Sequence, residues 1–358
     1  MNIRVLREAG GLGDLVRLFP VIAGLKAKYP GSELHFFCLG HYQELVMHGH
    51  CPGVDAYISV AHHLRRQRMS PIDEKKHRYL RTGVKYDLDV DMYCPAFVHE
   101  RETQGAVTRE RTELWCAAVG VPVGRPVFHL AEEERAWAQA WRTKALQPLC
   151  PDVDTSAPGR IVALQPHSTT TQRNWAARSW QELAMMFMQE GYAVVMLDCC
   201  SGRFRGWPST LQEVNRPFGQ LAALLSVCGL AITPDSGIYH LAGAVGTPAL
   251  GIFGNTNGEI ISRIWRPTGY HISKAEADLD RDLLPADCKP PCYGFRDRGA
   301  AIECRKNGCG AAHQITVEEV HAKAHEIIAE HWPNRRDGGL PAEGGAGVLR
   351  SGVLAGRH

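Results

Sequence analysis

The sequence predicts an α/β protein with two domains, each built around a doubly wound parallel sheet. Three observations support this. Short apolar segments alternate with segments of helical apolar spacing, which is typical of βαβ units. A polar stretch rich in Pro and Gly interrupts the alternation at 147–160 and is the best linker candidate. The 358 residues also exceed what one ordinary core accommodates.

The first half opens with a β–turn–α–β unit. Strands are predicted over 2–7 and 33–39, and the helix between them over 14–28, from its apolar spacing. We therefore expect an N-terminal domain over 1–150. Its later elements are predicted as a helix over 111–119, an extended segment at 125–130 and a helix over 131–146.

The second half repeats the alternation and defines a predicted domain over 151–332. Its last helix begins with a capping box formed by Thr316 and Glu319. The segment 333–358 is Gly-rich without periodicity and is predicted to be a disordered tail. The predicted strands are 161–165, 192–198, 229–233 and 248–253, and the predicted helices are 178–190, 219–227, 236–245 and 316–332.

Composition excludes several function classes. The chain is 44% hydrophobic and 22% charged, which is ordinary for a globular protein, and its net charge of +2 gives no reason to expect a nucleic-acid partner. No apolar run approaches the roughly 20 residues of a membrane span. The opening MNIRVLREAGGLGD is unlike a signal peptide, so we expect a cytoplasmic protein.

The first motif is the Gly-rich turn GGLGD at 10–14. Gly11 and Gly13 permit a tight turn and close approach of the backbone to a ligand or to the other domain. Asp14 begins the predicted helix, where a carboxylate is either a cap or a functional acid. A dinucleotide-binding fingerprint is excluded, since Val16 stands where the third glycine belongs.

The second motif, LQPHSTTTQRNW at 164–175, begins at the end of a predicted strand. Hydroxyls and a guanidinium suit phosphate oxygens. The alternative is a polar loop with a structural arginine. The candidate contacts to a phosphorylated ligand are His167, Ser168, Thr169 and Arg173.

The third motif is DSGIYH, which begins at Asp235 and leads from a strand into a helix. The unpaired amides and the dipole of such a helix start favour an anion. Ser236 can cap the helix or donate to a phosphate, and Gly237 allows a diphosphate to press on the backbone. His240 lies one turn further along the same face. The alternative is an ordinary capped helix with a satisfied histidine.

Four cysteines form a separate motif in the segment 288–309. Their spacing, C-x3-C-x11-C-x4-C, is typical of a tetrahedral thiolate site. Four thiolates suit either iron or zinc, and such a closed site is structural. Four free thiols or two disulfides are the alternatives. The predicted metal ligands are Cys288, Cys292, Cys304 and Cys309.

The order of these motifs resembles glycosyltransferase family 9, which contains the heptosyltransferases of the lipopolysaccharide inner core. The matching features are strand–GxGD–helix, the PHS–(K/R)xW loop and D(S/T)GxxHLAxAxGTPxxxxFG. The resemblance runs from about residue 2 to about residue 330. It implies a GT-B fold, in which two Rossmann-like domains face each other across a cleft. The first would bind the acceptor and the second a nucleotide-sugar donor resembling ADP-heptose.

The resemblance also implies roles for individual residues. Asp14 matches the general base of an inverting enzyme that needs no catalytic metal, and Arg173 matches the basic residue on the donor phosphates. Asp235, Ser236, Gly237 and His240 fall on the donor-binding turn. The four-cysteine insert is similar to that of the heptosyltransferases that modify autotransporter proteins, where iron is bound.

The acceptor is left open: a glycan, a lipid-linked glycan such as lipopolysaccharide, or a protein. Homo-oligomers and peripheral contact with the inner membrane are also left open. His99, Glu100 and Arg101 are polar candidates for the acceptor side. Two other functions compete, a nucleotide-sugar epimerase with the GT-B fold and a non-enzymatic metal-finger scaffold on a decayed transferase fold.

Overall fold

The described residues of the computed structural model form two fully parallel β-sheets, one in each half of the chain. In both halves the strands alternate with helices along the chain, as the sequence predicts. The structure describes residues 1–7, 10–60, 83–92, 94–103, 108–198, 207–209, 211–285, 288, 290 and 308–333.

The first sheet has four strands in the order β3-β2-β1-β4. Because β2 and β4 flank β1, the chain reverses its direction of sheet growth at β1, and a crevice opens at the carboxyl end of this strand. The Gly-rich turn follows directly there. The strands are β1 (Asn2–Arg7), β2 (Glu33–Leu39), β3 (Ala56–Val60) and β4 (Leu88–Asp91).

Six helices accompany this sheet among the described residues. The helix predicted over 14–28 is divided at Leu18, because Pro20 lacks the amide hydrogen that a continuous helix would use. The helix predicted over 131–146 ends at Trp141 and continues as a wider π turn. The helices are α1 (Leu12–Arg17), α2 (Phe19–Lys28), α3 (Gln43–Met47), α4 (Cys94–Glu102), α5 (Arg111–Val119) and α6 (Glu132–Trp141).

The second sheet has six strands in the order β10-β9-β8-β5-β6-β7. Strand order reverses between β5 and β8, so a crevice opens at their carboxyl ends. The PHS loop follows β5, and the DSG turn follows β8. The strands are β5 (Ile161–Leu164), β6 (Ala193–Asp198), β7 (Leu211–Val214), β8 (Leu230–Pro234), β9 (Ala249–Ile252) and β10 (Gly269–Ile272).

The last described helix of the second half is α12 (Val317–His331), which the sequence predicts over 316–332. Its capping box forms as expected: the Glu319 amide donates to Thr316 Oγ1 (3.2 Å), and the Thr316 amide donates to Glu319 Oε2 (2.8 Å). The helices are α7 (Ala177–Gln189), α8 (Phe218–Ser226), α9 (Gly237–Val245), α10 (Gly258–Arg263), α11 (Gly310–His313) and α12 (Val317–His331).

The two halves share one continuous apolar cluster, which runs from β1 and α1 to α8 and α9. Helix α1 packs on α9, and α6 packs on α8. The indole of Trp141 on α6 donates to Glu213 Oε1 of β7 at 2.7 Å. Helix α6 therefore contacts the second sheet's layer, although it precedes the predicted linker. The boundary at residue 150 remains a prediction.

None of the helices in the described part of the chain is both long and apolar enough to cross a membrane. The predicted tail lies outside the described residues from position 334 onward.

Candidate active site

A cleft of about 750 Å³ lies between the two sheets, at the carboxyl ends of β1, β5 and β8. Every cleft residue predicted from the three motifs contributes to its lining. These residues are Gly11, Gly13, Asp14, His167, Ser168, Thr169, Arg173, Asp235, Ser236, Gly237 and His240.

Two glycines allow α1 and α9 to approach closely across the cleft. A Cβ at position 13 would lie 2.3 Å from Cδ2 of His240, and a Cβ at position 237 would lie 2.7 Å from Cβ of Leu12. Real Cβ atoms do not approach this closely, so each position requires glycine in this packing. Leu12 of the opposite domain is therefore one reason for glycine at position 237, and the diphosphate contact stays a prediction.

Asp14 is 7% exposed and stands among three arginines. Arg7 Nη2 lies 2.9 Å from Oδ2, while Arg111 Nη1 and Arg17 Nη2 lie 2.7 and 3.4 Å from Oδ1. Among the described contacts, the Asp14 oxygens accept from these arginines, and Gly11 occupies the N-cap position of α1. Asp14 is therefore not the N-cap of α1, although its charge lies in the first turn of that helix.

Burial by itself raises the pKa of Asp14, but the charges of Arg111, Arg7 and Arg17 together hold that pKa well below its usual value. The group is therefore a carboxylate at neutral pH. An isolated buried carboxylate would be costly, and these charge-assisted hydrogen bonds offset that cost.

Two of the arginines also have a second acidic partner. Arg17 Nη1 lies 2.8 Å from Oε1 of the buried Glu110, and Arg111 Nη2 lies 2.6 Å from Oε1 of Glu100. Three arginines and three carboxylates thus form one compact network at the wall of the cleft. Arg17 and Arg111 would therefore each keep one carboxylate partner if their contacts with Asp14 were broken.

His240 is buried, and Trp265, which follows α10, holds its imidazole in one tautomer. The indole Nε1 of Trp265 donates to Nδ1 at 3.1 Å, so the imidazole proton is on Nε2. Burial first, then the charge of Arg17, holds the pKa of His240 well below its usual value, although Asp14 acts in the opposite direction. The ring is neutral, and its Nε2 lies 4.0 Å from Asp235 Oδ1.

The N-terminus of α9 carries no side-chain cap among its described contacts. Ser236 occupies the N-cap position, but its hydroxyl donates to Gln165 Oε1 at 2.8 Å instead. The capping alternative for Ser236 is therefore wrong as well. The first amides of α9 are not used within the helix, and they lie on the wall of the cleft.

The PHS loop folds over the DSG turn. Arg173 Nη1 donates to the carbonyl of Asp235 at 3.4 Å, and its Nε lies 3.5 Å from Asp235 Oδ2. The amide of Ser168 donates to Asn174 Oδ1 at 2.7 Å, which fixes the loop's shape. The loop is anchored behind by Trp175, whose indole donates to the carbonyl of Ile315 at 2.9 Å.

The sequence motifs do not predict the arginine network around Asp14. Arg7 could have been found, because it ends β1 at the edge where ligands bind in such sheets. Arg17 lies one turn after Asp14 on α1, which also favours contact. Nothing in the sequence pairs Arg111 with Asp14, since 97 residues separate them.

The structure places the three acceptor-side candidates, His99, Glu100 and Arg101, differently. Glu100 lines the cleft and binds Arg111. His99 Nε2 lies 2.8 Å from Thr108 Oγ1 on an exposed face, and it does not line the cleft. The side chain of Arg101 lies outside the described residues.

Two of the four predicted metal ligands are described. Cys288 and Cys309 are 3% and 2% exposed and belong to one small buried cluster with Leu279 and Ala312. Position 254 must be glycine there, because a Cβ would lie 2.7 Å from the sulfur of Cys309. Cys292 and Cys304 lie outside the described residues, so the proposed four-cysteine site stays a prediction.

Comparison with known proteins identifies the family that the second half resembles. Glycosyltransferase family 9 (heptosyltransferase) matches residues 215–278, a range that contains the DSG turn and α9. No curated protein sequence gives a significant match to the chain.

Solved structures match almost the whole chain. The ADP-heptose lipopolysaccharide heptosyltransferase II of E. coli is 15% identical, with a TM-score of 0.61, over 92% of this chain and 99% of that chain. The family 9 glycosyl transferase of Veillonella parvula is 16% identical, with a TM-score of 0.62, over 92% and 97%. These likenesses confirm the predicted GT-B fold.

A third similar structure is that of an iron-containing protein. The iron-containing dodecameric glycosyltransferase TibC of enterotoxigenic E. coli is 15% identical, with a TM-score of 0.56, over 92% of this chain and 76% of that chain. Together, the family match and the shared fold support a glycosyltransferase.

Proposed function

With family 9 and the GT-B fold as the premise, we propose that this protein is an inverting glycosyltransferase. It transfers a sugar from a nucleoside-diphosphate donor resembling ADP-heptose to an acceptor hydroxyl. One observation carries the proposal: the uncapped start of α9 lies in the same cleft as the buried carboxylate of Asp14, with Gly13 directly against His240.

The donor half of the cleft suits a departing diphosphate. The free amides and the dipole of α9 attract anions, and Arg173 adds a guanidinium beside Asp235. The charge that develops on the diphosphate as its bond to the sugar breaks can therefore be stabilised by groups already in position. Because these groups supply the positive field, we propose that the transfer needs no catalytic metal.

Asp14 is the proposed general base. The acceptor hydroxyl attacks the anomeric carbon while its proton passes to the carboxylate, and the electron pair of the broken bond leaves with the diphosphate. One displacement of this kind inverts the anomeric centre, and one carboxylate suffices. A carboxylate surrounded by three arginines is a weak base. We propose that its basicity increases when an acceptor breaks the contact between Arg111 and Asp14, which leaves Arg111 paired with Glu100.

The cysteine insert is proposed to hold a structural iron or zinc ion. Buried Cys288 and Cys309 support this, as does the iron-containing TibC among similar folds. The acceptor is proposed to be a glycan, a lipid-linked glycan or a protein. A cytoplasmic location, peripheral contact with the inner membrane and a homo-oligomeric state are part of the same proposal.

A donor screen tests the function. The protein is heated with ADP-, GDP- or UDP-sugars, and the sugar nucleotide that raises Tm most is incubated with and without candidate acceptor glycans. We expect nucleotide binding, with release of the nucleoside diphosphate that depends on an acceptor. Interconversion of the donor sugar without acceptor would favour an epimerase, and failure to bind any nucleotide would favour a scaffold.

A further inference from the structure

A second cluster of ligating side chains lies outside the cleft, where α12 crosses α7. His321 and His325 are one turn apart on α12, and Glu190 follows the last residue of α7. The ligating atoms of the three side chains all lie within 4.8 Å of one another. None of the three lines the cleft. We propose that they form a binding site for a divalent transition-metal ion of the Zn²⁺ type.

The distances fit a shared ion. Glu190 Oε1 lies 3.1 Å from Nε2 of His321, Oε2 lies 2.8 Å from Nε2 of His325, and the two Nε2 atoms are 3.1 Å apart. Tetrahedral ligands with bonds of about 2.0–2.1 Å to zinc are about 3.3 Å from each other. The three atoms are therefore nearly at coordination spacing before any ion enters.

Protons alone cannot satisfy all three contacts. A carboxylate only accepts, so each histidine needs a proton on Nε2 to donate to Glu190. With both protons present, the two Nε2–H groups face each other at 3.1 Å, donor against donor. Removing one proton repairs that contact but leaves one lone pair facing the carboxylate. A cation resolves the conflict, because all three atoms then direct lone pairs at it.

The surroundings orient the two imidazoles. The rings of His321 and His325 pack on the buried ring of Phe187, at centroid distances of 5.1 and 6.0 Å. The hydroxyl of Tyr192 lies 3.5 Å from Nδ1 of His325. A proton on that Nδ1 leaves the Nε2 lone pair for a metal, as in most histidine metal sites.

The exposure of the site fits ion entry from solvent. The side chains of Glu190 and His325 are 40% and 39% exposed, whereas that of His321 is 13% exposed. Two imidazoles and one carboxylate suit Zn²⁺, Ni²⁺ or Cu²⁺, and not Mg²⁺ or Ca²⁺. An ion held here would join α12 to α7 and would stabilise the C-terminal helix on the second domain.

Thermal unfolding of the full chain with increasing Zn²⁺, after removal of metals by a chelator, tests the site. His321→Ala, His325→Ala and the near-isosteric Glu190→Gln are compared with His129→Ala, which changes an exposed histidine of the first half. All variants keep the four-cysteine insert, so differences between them report on the histidine site.

We expect Zn²⁺ to raise the Tm of the wild type and of His129→Ala. In the other three variants the rise should need at least about tenfold more Zn²⁺. A wild-type Tm that does not respond to Zn²⁺, an equal response to Mg²⁺, or equal Zn²⁺ dependence in all variants would overturn the proposal. Glu190→Gln keeps the test decisive if an alanine variant fails to fold.

Discussion

The imidazole of His240 packs directly against Gly13, so that the two domains meet within van der Waals distance at the wall of the cleft. Gly13 lies on α1 beside Asp14, and His240 lies on α9 one turn from its free N-terminus. The contact therefore fixes the proposed base relative to the proposed diphosphate site.

Replacing Gly13 by alanine tests this contact. The new Cβ would overlap a ring that Trp265 holds in place, and we expect a loss of about 2 kcal/mol in the free energy of unfolding, as for overpacked cores. The loss should appear although alanine favours helices over glycine. Gly11→Ala is the control, since a Cβ there has nothing within 4 Å. Equal urea midpoints for the two variants would contradict the contact.

Asp14→Asn tests the proposed base. We expect kcat to fall at least about a hundredfold, the scale of general-base loss, with little change in affinity for the nucleoside diphosphate. Stability should also fall by about 3 kcal/mol, because three arginines lose a buried partner.

Glu110→Gln is the matched control for Asp14→Asn, because it removes another buried carboxylate from the same network. It should lower stability similarly while kcat changes much less. Comparable losses of kcat in both variants would mean that Asp14 acts only by positioning the arginines.

Arg173→Ala tests the diphosphate contact. Hydrogen bonds to charged groups contribute about 1.5–3 kcal/mol, so we expect KM for the donor to rise about tenfold to a hundredfold. Binding of the free nucleoside should be unchanged. The control is Arg178→Ala, which removes an exposed guanidinium of α7 that pairs with Glu182. If both variants bind the donor equally well, Arg173 does not contact the phosphates.

The pH dependence of stability tests the neutral state of His240. Its pKa is lowered in the fold, so the unfolded chain binds the extra proton first, and stability is lost as pH falls below about 6.5. One such group contributes at most about 1.4 kcal/mol per pH unit. Urea unfolding at pH 7 and pH 5 should therefore show a smaller loss in His240→Gln than in the wild type.

Part of that loss will remain in His240→Gln. Burial lowers the pKa values of His271, His313 and His331 in the same direction. Asp14 adds a further loss of stability only below about pH 3.8, the ordinary pKa of an aspartate, because its pKa in the fold is lower still. An unchanged slope between pH 7 and pH 5 in the variant would contradict a neutral His240.

Cys288→Ser tests the structural metal. We expect less bound iron or zinc by elemental analysis and a lower Tm, because a structural thiolate site contributes directly to folding. Cys150→Ser, at a half-buried cysteine outside the insert, is the control. Metal content that is equal in the wild type and Cys288→Ser would contradict the four-cysteine site.

The sequence predicted the buried central elements well. Strands β1 and β2 have the predicted bounds, because each combines several apolar residues with a glycine soon after its end. The four edge strands among the described residues were missed: β3 (AYISV), β4 (LDVD), β7 (LQEV) and β10 (GYHI) have only four or five residues each, and they mix polar with apolar side chains. So short a pattern cannot be distinguished from a loop.

The candidate site, like the fold, was predicted only in part. Motifs that end strands were found, since topology places the carboxyl ends of parallel strands at one edge. The network around Asp14 was not found, because Arg111 reaches it from a distant part of the chain. The pattern also could not reveal that Gly237 accommodates Leu12. Which side chains meet across the cleft depends on the docking of the two domains.

Hydrogen exchange at the start of α9 tests the central claim most directly. Amide exchange of the peptide covering 235–240 is measured with and without a saturating concentration of the nucleoside diphosphate that raises Tm most. We expect the ligand to slow exchange of these amides, with a weaker effect in Arg173→Ala. Tight binding that leaves 235–240 unprotected would contradict the claim that this helix start holds the departing diphosphate.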